Sequence, residues 1–312
     1  MTPRRFVLGL LHGLRLFVTR QLAFIEMLVM KVREYATVPE EQPGTTTRSV
    51  AVVITTFEAR QDECCLPLIA SLRDGGCDWP IVVALNGNFS SSYSVPRRQS
   101  FLTKASSYGD TSFVTFRAFT SLSRMWNLAI QATAADIVVV LNDDVVINSS
   151  SVMADLNRLV EVAEAEGIVL GNNSFSHFCV SRSLMEQLRW FDERFVGVGE
   201  EDGDFAWRYE RKAGRIPPTL VAPSLKNLSH PSGTDLKMGR FSGASKIFSE
   251  VKYVPSDSGL TGGRYPRSVE QAIADFDPHP LSGLDGVREE ILRNPSRDRI
   301  VEYFDKHFRL RG

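Results

Sequence analysis

Ile137-Val138-Val139-Val140-Leu141-Asn142-Asp143-Asp144 decides the fold reading of this 312-residue chain. Five apolar residues, four of them β-branched, run without a break into a polar triplet that ends in two acids. A continuous apolar run of this length reads as a strand buried on both faces, as in a parallel sheet. Ligands of open α/β sheets bind outside the carboxyl ends of such strands, so the triplet arrives where the chemistry is done. If strand geometry persists, Asn142 and Asp144 share one side and Asp143 takes the other. Mg²⁺ and Mn²⁺ bind oxygen ligands, often through one or two carboxylates plus substrate phosphates. A plain polar turn explains the same triplet, so it needs support from elsewhere in the chain.

Working outward, the pattern predicts an α/β protein. Strands are expected at Ser49 to Thr55, Pro80 to Leu85 and Phe113 to Phe116, then at Asp136 to Leu141. Short ones follow at Ile168 to Leu170, Phe178 to Val180 and Thr219 to Ala222. Helices are expected at Glu63 to Arg73, stopped by Gly75-Gly76, at Ser121 to Ala134 and at Val152 to Glu166. In the second of these, Leu122, Met125, Trp126, Ala129 and Ile130 fall at helical spacing. Strands alternating with helices imply crossovers and a mostly parallel sheet.

Composition sets the outer limits. With 43% hydrophobic and 23% charged residues and a net charge of -1, the chain is an ordinary folded protein and not a nucleic-acid binder driven by bulk charge. Its four cysteines form no CxxC pair, which predicts free thiols in a reducing compartment. Residues 1–37 form a basic, apolar extension. No charge-free stretch of eighteen residues occurs between Arg4 and Arg33, which argues against a spanning helix. Residues 4–33 are expected either to lie on an anionic membrane surface as an amphipathic helix or to pack on the domain or another subunit, as in a homo-oligomer. The polar, Pro-bearing stretch 38–47 reads as a linker, 48–250 as the main domain and 251–312 as a helical appendage.

A second acidic cluster lies downstream, Gly199-Glu200-Glu201-Asp202-Gly203-Asp204-Phe205, followed by Arg208, Arg211 and Arg215. Acids ahead of a basic amphipathic stretch read as a helix N-terminus favoured by the helix dipole, with Asp204 and Arg208 at i,i+4. Adjacent helical side chains diverge by roughly 100°. One of Glu201 and Asp202 can therefore anchor the helix while the other faces a cleft and accepts a proton from an attacking hydroxyl. His230, in Asn227-Leu228-Ser229-His230-Pro231, is by itself an ordinary loop histidine; it gains weight as a metal ligand only beside Asp144.

With both motifs in hand, the chain resembles GT-A fold glycosyltransferases, especially the inverting family 2 group, over roughly Val50 to Phe248. Val52-Val53-Ile54-Thr55-Thr56-Phe57-Glu58 is similar to that family's first strand and nucleotide-contacting loop. Ser123-Arg124-Met125-Trp126-Asn127-Leu128-Ala129 resembles the helix before the motif strand. Asn142-Asp143-Asp144 resembles the DxD motif, and Gly199 to Phe205 the Gly-Glu-Asp motif of galactosyltransferases and chondroitin-type polymerases. The resemblance implies a mixed, mostly parallel sheet flanked by helices, a nucleotide-sugar donor (UDP-linked) and a divalent cation, Mn²⁺ or Mg²⁺. Asp144 and His230 would bind the metal. Asp202 would be the general base, with Glu201 orienting it or the acceptor. Thr55, Thr56, Glu58, Asn86, Arg124, Asn127, Asn142 and Asp143 would surround the donor. The acceptor implied is a glycan or lipid-linked glycan of a cell envelope, which places the protein in the cytoplasm or on the inner face of the membrane. Asn142 departs from the motif: it keeps a carbonyl acceptor but lacks the charge of an acid.

Three rivals are weighed. A non-catalytic GT-A-like scaffold is compatible with Asn142. A nucleotidyltransferase needs a Gly-rich basic loop after the first strand, and Thr55 to Arg60 has no glycine. A dinucleotide-dependent dehydrogenase needs GxGxxG there, which is also missing.

Overall fold

The structure is a computed structural model that describes residues 48–87, 94–116, 119–148, 151–195 and 198–228, with Ser245 and Ser249. The expected extension 1–37, the linker 38–47, His230 and the appendage 251–312 lie outside the described residues. Four apolar segments form a parallel set: β1 (Val50–Phe57), β2 (Ile81–Asn86), β3 (Thr111–Thr115) and β4 (Ile137–Asn142). β1 sits between β2 and β4. With β6 (Ile168–Gly171), β7 (His177–Ser181) and β8 (Thr219–Leu220), the sheet has seven strands in the order β3-β2-β1-β4-β7-β6-β8. Among these strands β7 alone runs antiparallel to its neighbours. A separate two-stranded ribbon pairs β5 (Val145–Ile147) with β9 (Leu225–Asn227).

Strand periodicity divides the core into two faces. Val52, Ile54, Val139 and Leu141 pack against α1 (Leu66–Asp74), α2 (Val95–Ser106) and α4 (Val152–Glu166). Ala51, Val53, Val138 and Val140 pack against α3 (Leu122–Ala132), α5 (Arg182–Gln187) and α6 (Glu201–Ala213). The apolar run of β4 is thus buried on both faces, as its composition requires. Val138, Val139, Val140 and Leu141 are fully buried. The four cysteines are buried free thiols.

The β1–β4 pairing is fixed by side chains at both ends of the ladder. At the amino end Ser49 Oγ donates to Asp136 Oδ2 at 2.7 Å. At the carboxyl end Thr55 Oγ1 donates to Asn142 Oδ1 at 2.8 Å and Thr56 Oγ1 to Asp143 Oδ2 at 2.7 Å. All three bonds join residues 87 positions apart.

Several elements differ from expectation. The helix after β1 begins with a π-helical turn, Gln61–Cys65, before α1. Helix α2 had no counterpart in the sequence reading. It is weakly apolar, with Phe101 and Ala105 its buried residues, and it starts at Ser94, whose side chain accepts from Arg97 N. The antiparallel β7 follows a tight turn in which Asn172 and Asn173 hold φ of 48° and 59°, a conformation asparagine tolerates better than most residues. Where β6 meets β7, a Cβ on Gly171 would lie 2.6 Å from His177 Cδ2 and 3.0 Å from the His177 carbonyl oxygen. Backbone cannot yield as a side chain can. Gly171→Ala is expected to cost about 1–3 kcal/mol, read as a lower urea midpoint at unchanged m-value. An unchanged midpoint would mean that the two strands separate freely at this point.

Candidate active site

In this sheet the strand order reverses between β1 and β4: the chain moves outward from β1 through β2 and β3, then returns to β4 on the other side. Such a switch point opens a crevice at the carboxyl ends of the two strands. Thr55 and Asn142 are partners in the ladder there. The cleft is lined by Thr55, Thr56, Phe57, Arg60, Asn86, Asn142, Asp143 and Asp144, with Phe119, Leu122, Met125 and Val198 closing its sides.

The three motif residues take different environments. Asn142 is half-buried, and its carbonyl oxygen is held by Thr55. Asp143 is buried, receives the Thr56 hydroxyl and lies 2.8 Å from Arg60 Nη2. Burial pushes its carboxyl up to about 7, while Arg60 and Thr56 pull the other way. Asp144 is 27% exposed. Its Oδ1 is buried without a hydrogen-bond partner, and Oδ2 is 3.7 Å from Arg60 Nη2. The strand stops at Asn142, so Asp143 and Asp144 occupy a turn. Strict alternation therefore does not apply, and all three residues line one cleft. The backbone of this turn is braced by the small ribbon: Leu228 N donates to Asp144 O at 2.7 Å. Asn172 Nδ2 in turn donates to Ala222 O and Leu225 O.

The other expected donor-site residues divide. Asn86 lines the cleft, and its amide clamps the Thr120 backbone in both directions, at 2.8 and 3.0 Å. Glu58 is buried beside the start of α2 and accepts from Ser94 N. Asn127 donates to Phe191 O and Glu193 Oε1 and accepts from Phe191 N. It holds the segment after α5 and does not line the cleft. Arg124, one turn earlier on α3, lies 4.0 Å from Glu193 Oε2 on the same segment.

That segment leads into α6. Gly199 and Glu200 both have positive φ, 98° and 76°. For a glutamate this backbone is uncommon and marks a site where the surroundings dictate the conformation. The helix is then fixed by the buried Asp204–Arg208 pair at 2.9 Å and by Phe205 stacking on Phe191 at 4.3 Å between ring centres. Glu201 and Asp202 diverge: Glu201 is 2% exposed, while Asp202 is half-buried and accepts from Gly203 N at 2.8 Å. Burial, reinforced by Asp202, pushes the Glu201 carboxyl from 4.5 up to about 8.

Glu201 thus holds a proton in the folded chain that the unfolded chain releases. The stability it carries is complete below about pH 4.5 and is lost as pH rises towards about 8. The slope is at most about 1.4 kcal/mol per pH unit for one proton. Glu201→Gln should flatten that fall in urea midpoints collected across the interval. Parallel slopes for the two proteins would mean that Glu201 is charged when folded.

Two residues near the motif were not singled out by sequence. Arg60 was one basic residue in a loop, and its signal was only that it is the first one after β1. His177 is buried opposite Leu141 in the ladder, 3.2 Å from Asn172 Nδ2, and burial lowers its pKa.

No family model matches this sequence, and no curated protein matches it. Solved structures do. A mannosyltransferase from Pyrobaculum calidifontis, in complex with GDP-Man and Mn²⁺, is 14% identical with a TM-score of 0.53, covering 96% of this chain and 88% of that one. Glucosyl-3-phosphoglycerate synthase from Mycobacterium tuberculosis, in complex with Mn²⁺, UDP and glucosyl-3-phosphoglycerate, is also 14% identical. Its TM-score is 0.50, covering 71% of this chain and 88% of that one. The fold is GT-A. The mixed, mostly parallel sheet flanked by helices, expected from the sequence, is the one observed. At this identity the likeness concerns the GT-A scaffold, and the two neighbours carry different nucleotides on it.

Proposed function

We propose that this protein is an inverting, metal-assisted glycosyltransferase. It would move a sugar from a nucleotide diphosphate, UDP being the first candidate, to a hydroxyl of a glycan or lipid-linked glycan. The observation that carries the reading is the switch-point cleft, where Asp144 presents a buried carboxylate oxygen without a partner. A divalent cation suits this cleft, because its acidic side chains, Asp143 and Asp144, offer oxygen donors and such cations bind through few carboxylates plus phosphates. Asp144 would hold it with Asp143 and His230. Leu228 N hydrogen-bonds the Asp144 backbone, and His230 enters this set from the motif resemblance alone. When bound, the cation offsets charge growing on the leaving diphosphate.

The chain's own groups supply the rest. Thr55 engages the Asn142 oxygen, which leaves the Asn142 amide nitrogen to donate to donor hydroxyls or phosphate. Asn142 then contacts the donor and not the metal. Asn86, Thr56 and, from further back, Glu58, Arg124 and Asn127 fix the walls of the donor site. Asp202 takes the acceptor proton as the acceptor oxygen bonds the anomeric carbon on the face opposite the departing diphosphate. The anomeric centre inverts. Glu201, uncharged at neutral pH, orients its neighbour without competing for that proton. Val198 lines the cleft four residues before Asp202, which brings the start of α6 towards the donor site.

Among the described residues no helix is long and apolar enough to cross a membrane. Residues 4–33 would serve as the contact with an anionic membrane surface or with a second copy. The reading is tested by thermal shift against UDP- and GDP-sugars with and without Mn²⁺, followed by nucleotide release from any sugar that binds. Stabilisation by a nucleotide sugar that requires Mn²⁺, with slow release of the diphosphate, is the expected outcome. A scaffold would give neither.

A further inference from the structure

Arg60 is the feature that the proposed mechanism leaves unused. It stands at the head of the π-helical turn, its carbonyl accepting from both Cys64 N and Cys65 N at 2.8 and 3.4 Å. Single π-turns are commonly found at functional sites. Just before this one, Arg60 N donates to Phe57 O at 2.9 Å, a turn that brings Arg60 back over the end of β1. Its guanidinium sits 5.4 Å from the Phe57 ring centre, 2.8 Å from Asp143 and 3.7 Å from Asp144. Nη2 nevertheless lacks an aligned hydrogen bond, and Nε is buried with no partner. Apart from a hydrogen bond with the Cys64 side chain, the guanidinium is held by charge beside both acids, with the donor capacity of Nε and Nη2 unfilled and facing a cleft read as a diphosphate site.

Two positive bodies cannot share those acids without cost. With Asn142 uncharged, the motif offers at most two negative charges, and Arg60 stands against both acids. A divalent cation arriving alone meets the repulsion of the guanidinium. Arriving with a nucleotide diphosphate, it brings new oxygens that accept the guanidinium's free donors, because arginine pairs with phosphate through several N–H groups at once. We propose that Arg60 couples metal binding to donor binding: it occupies the acids until a diphosphate arrives, then moves its donors to the phosphates and releases the acids to the metal. This rests on the glycosyl-transfer reading above and makes Arg60 a positioning residue that enforces joint loading. By linkage the coupling is reciprocal, so each ligand tightens the other by the same factor.

The test is calorimetric titration of Mn²⁺ into the full chain, with and without saturating UDP, for wild type, Arg60→Met and Arg60→Lys. Wild type should bind Mn²⁺ weakly alone and at least about tenfold more tightly with UDP, within the ordinary range of coupling. Arg60→Met should bind Mn²⁺ alone about tenfold more tightly than wild type, while the gain from UDP shrinks towards none. Arg60→Lys keeps the charge and should resemble wild type with Mn²⁺ alone. If Arg60→Met melts early, Arg60→Gln is the neutral variant to read, with the same expectation. A neutral variant that binds Mn²⁺ alone no better than wild type, or keeps the full gain from UDP, overturns the inference and leaves the reaction class intact. Wild type that binds neither Mn²⁺ nor UDP overturns the glycosyl-transfer reading itself.

Discussion

Asp202→Asn is expected to lower sugar transfer by about 10²–10⁴-fold while nucleotide affinity stays within a factor of two or so of wild type, since binding and proton transfer are separate events. The substitution keeps shape and hydrogen-bond reach but removes the ability to accept a proton. The structure gives reasons to choose this acid over its neighbours. Asp204 is fully buried in its pair with Arg208. Glu201 is buried and pushed up to about 8, so it holds its proton at neutral pH. Asp202 is half-buried, in the first turn of α6, with one oxygen held by Gly203 N. Single-turnover transfer from the donor identified by thermal shift, alongside calorimetric UDP binding, separates the two effects. Near-normal turnover in the variant would remove Asp202 from the reaction.

Asp144→Ala is expected to weaken Mn²⁺ and donor binding together, by about 10²-fold or more, and transfer with them, as befits losing several kcal/mol of charge stabilisation. Its half-buried position in the cleft and its unpaired Oδ1 are the grounds for expecting the larger effect at this acid. Asp143 is tied to Thr56 and Arg60. Folding should survive the change, because the backbone of the turn is braced by Leu228 N and by the β5–β9 pairing, neither of which uses the Asp144 side chain. Unchanged UDP affinity in the presence of Mn²⁺ would sink the assignment.

The sheet was legible where burial on both faces leaves no choice of residue. β4 and α4 are found at or within one residue of their expected bounds, because uninterrupted β-branched runs and a clean helical stripe have one reading each. β5, β8 and β9 are two or three residues long, too short for any period to register. β7 reversed direction because Asn172 and Asn173 made a tight turn, a local signal that the alternation of strands and helices masked. At the site, motif order placed the residues of the β1–β4 cleft together: Thr55, Thr56, Asn86 and Asn142 to Asp144. It did not separate cleft-lining residues from the supports behind them. Asn127 and Arg124 act on the Phe191–Glu193 segment, a tertiary relation that no spacing on α3 reveals. Arg60 stayed hidden because a turn closed by its N–H on Phe57 O, not a motif, brings it back over the end of β1.

The three hydroxyl–acid or hydroxyl–amide bonds across β1 and β4 have a consequence for how the cleft comes into being. Each joins residues 87 apart, and sliding one strand by a single residue would break all three and turn the alternate side chains to the wrong face. The cleft between β1 and β4 is therefore not a local structure that a fragment can hold. It exists only after a long loop has closed and the slowest kind of pairing, a non-local parallel one, has settled in its one register. A nucleotide that binds there is a reporter of finished topology, and it stabilises the native chain over every partly assembled form by an amount that grows with its concentration relative to Kd.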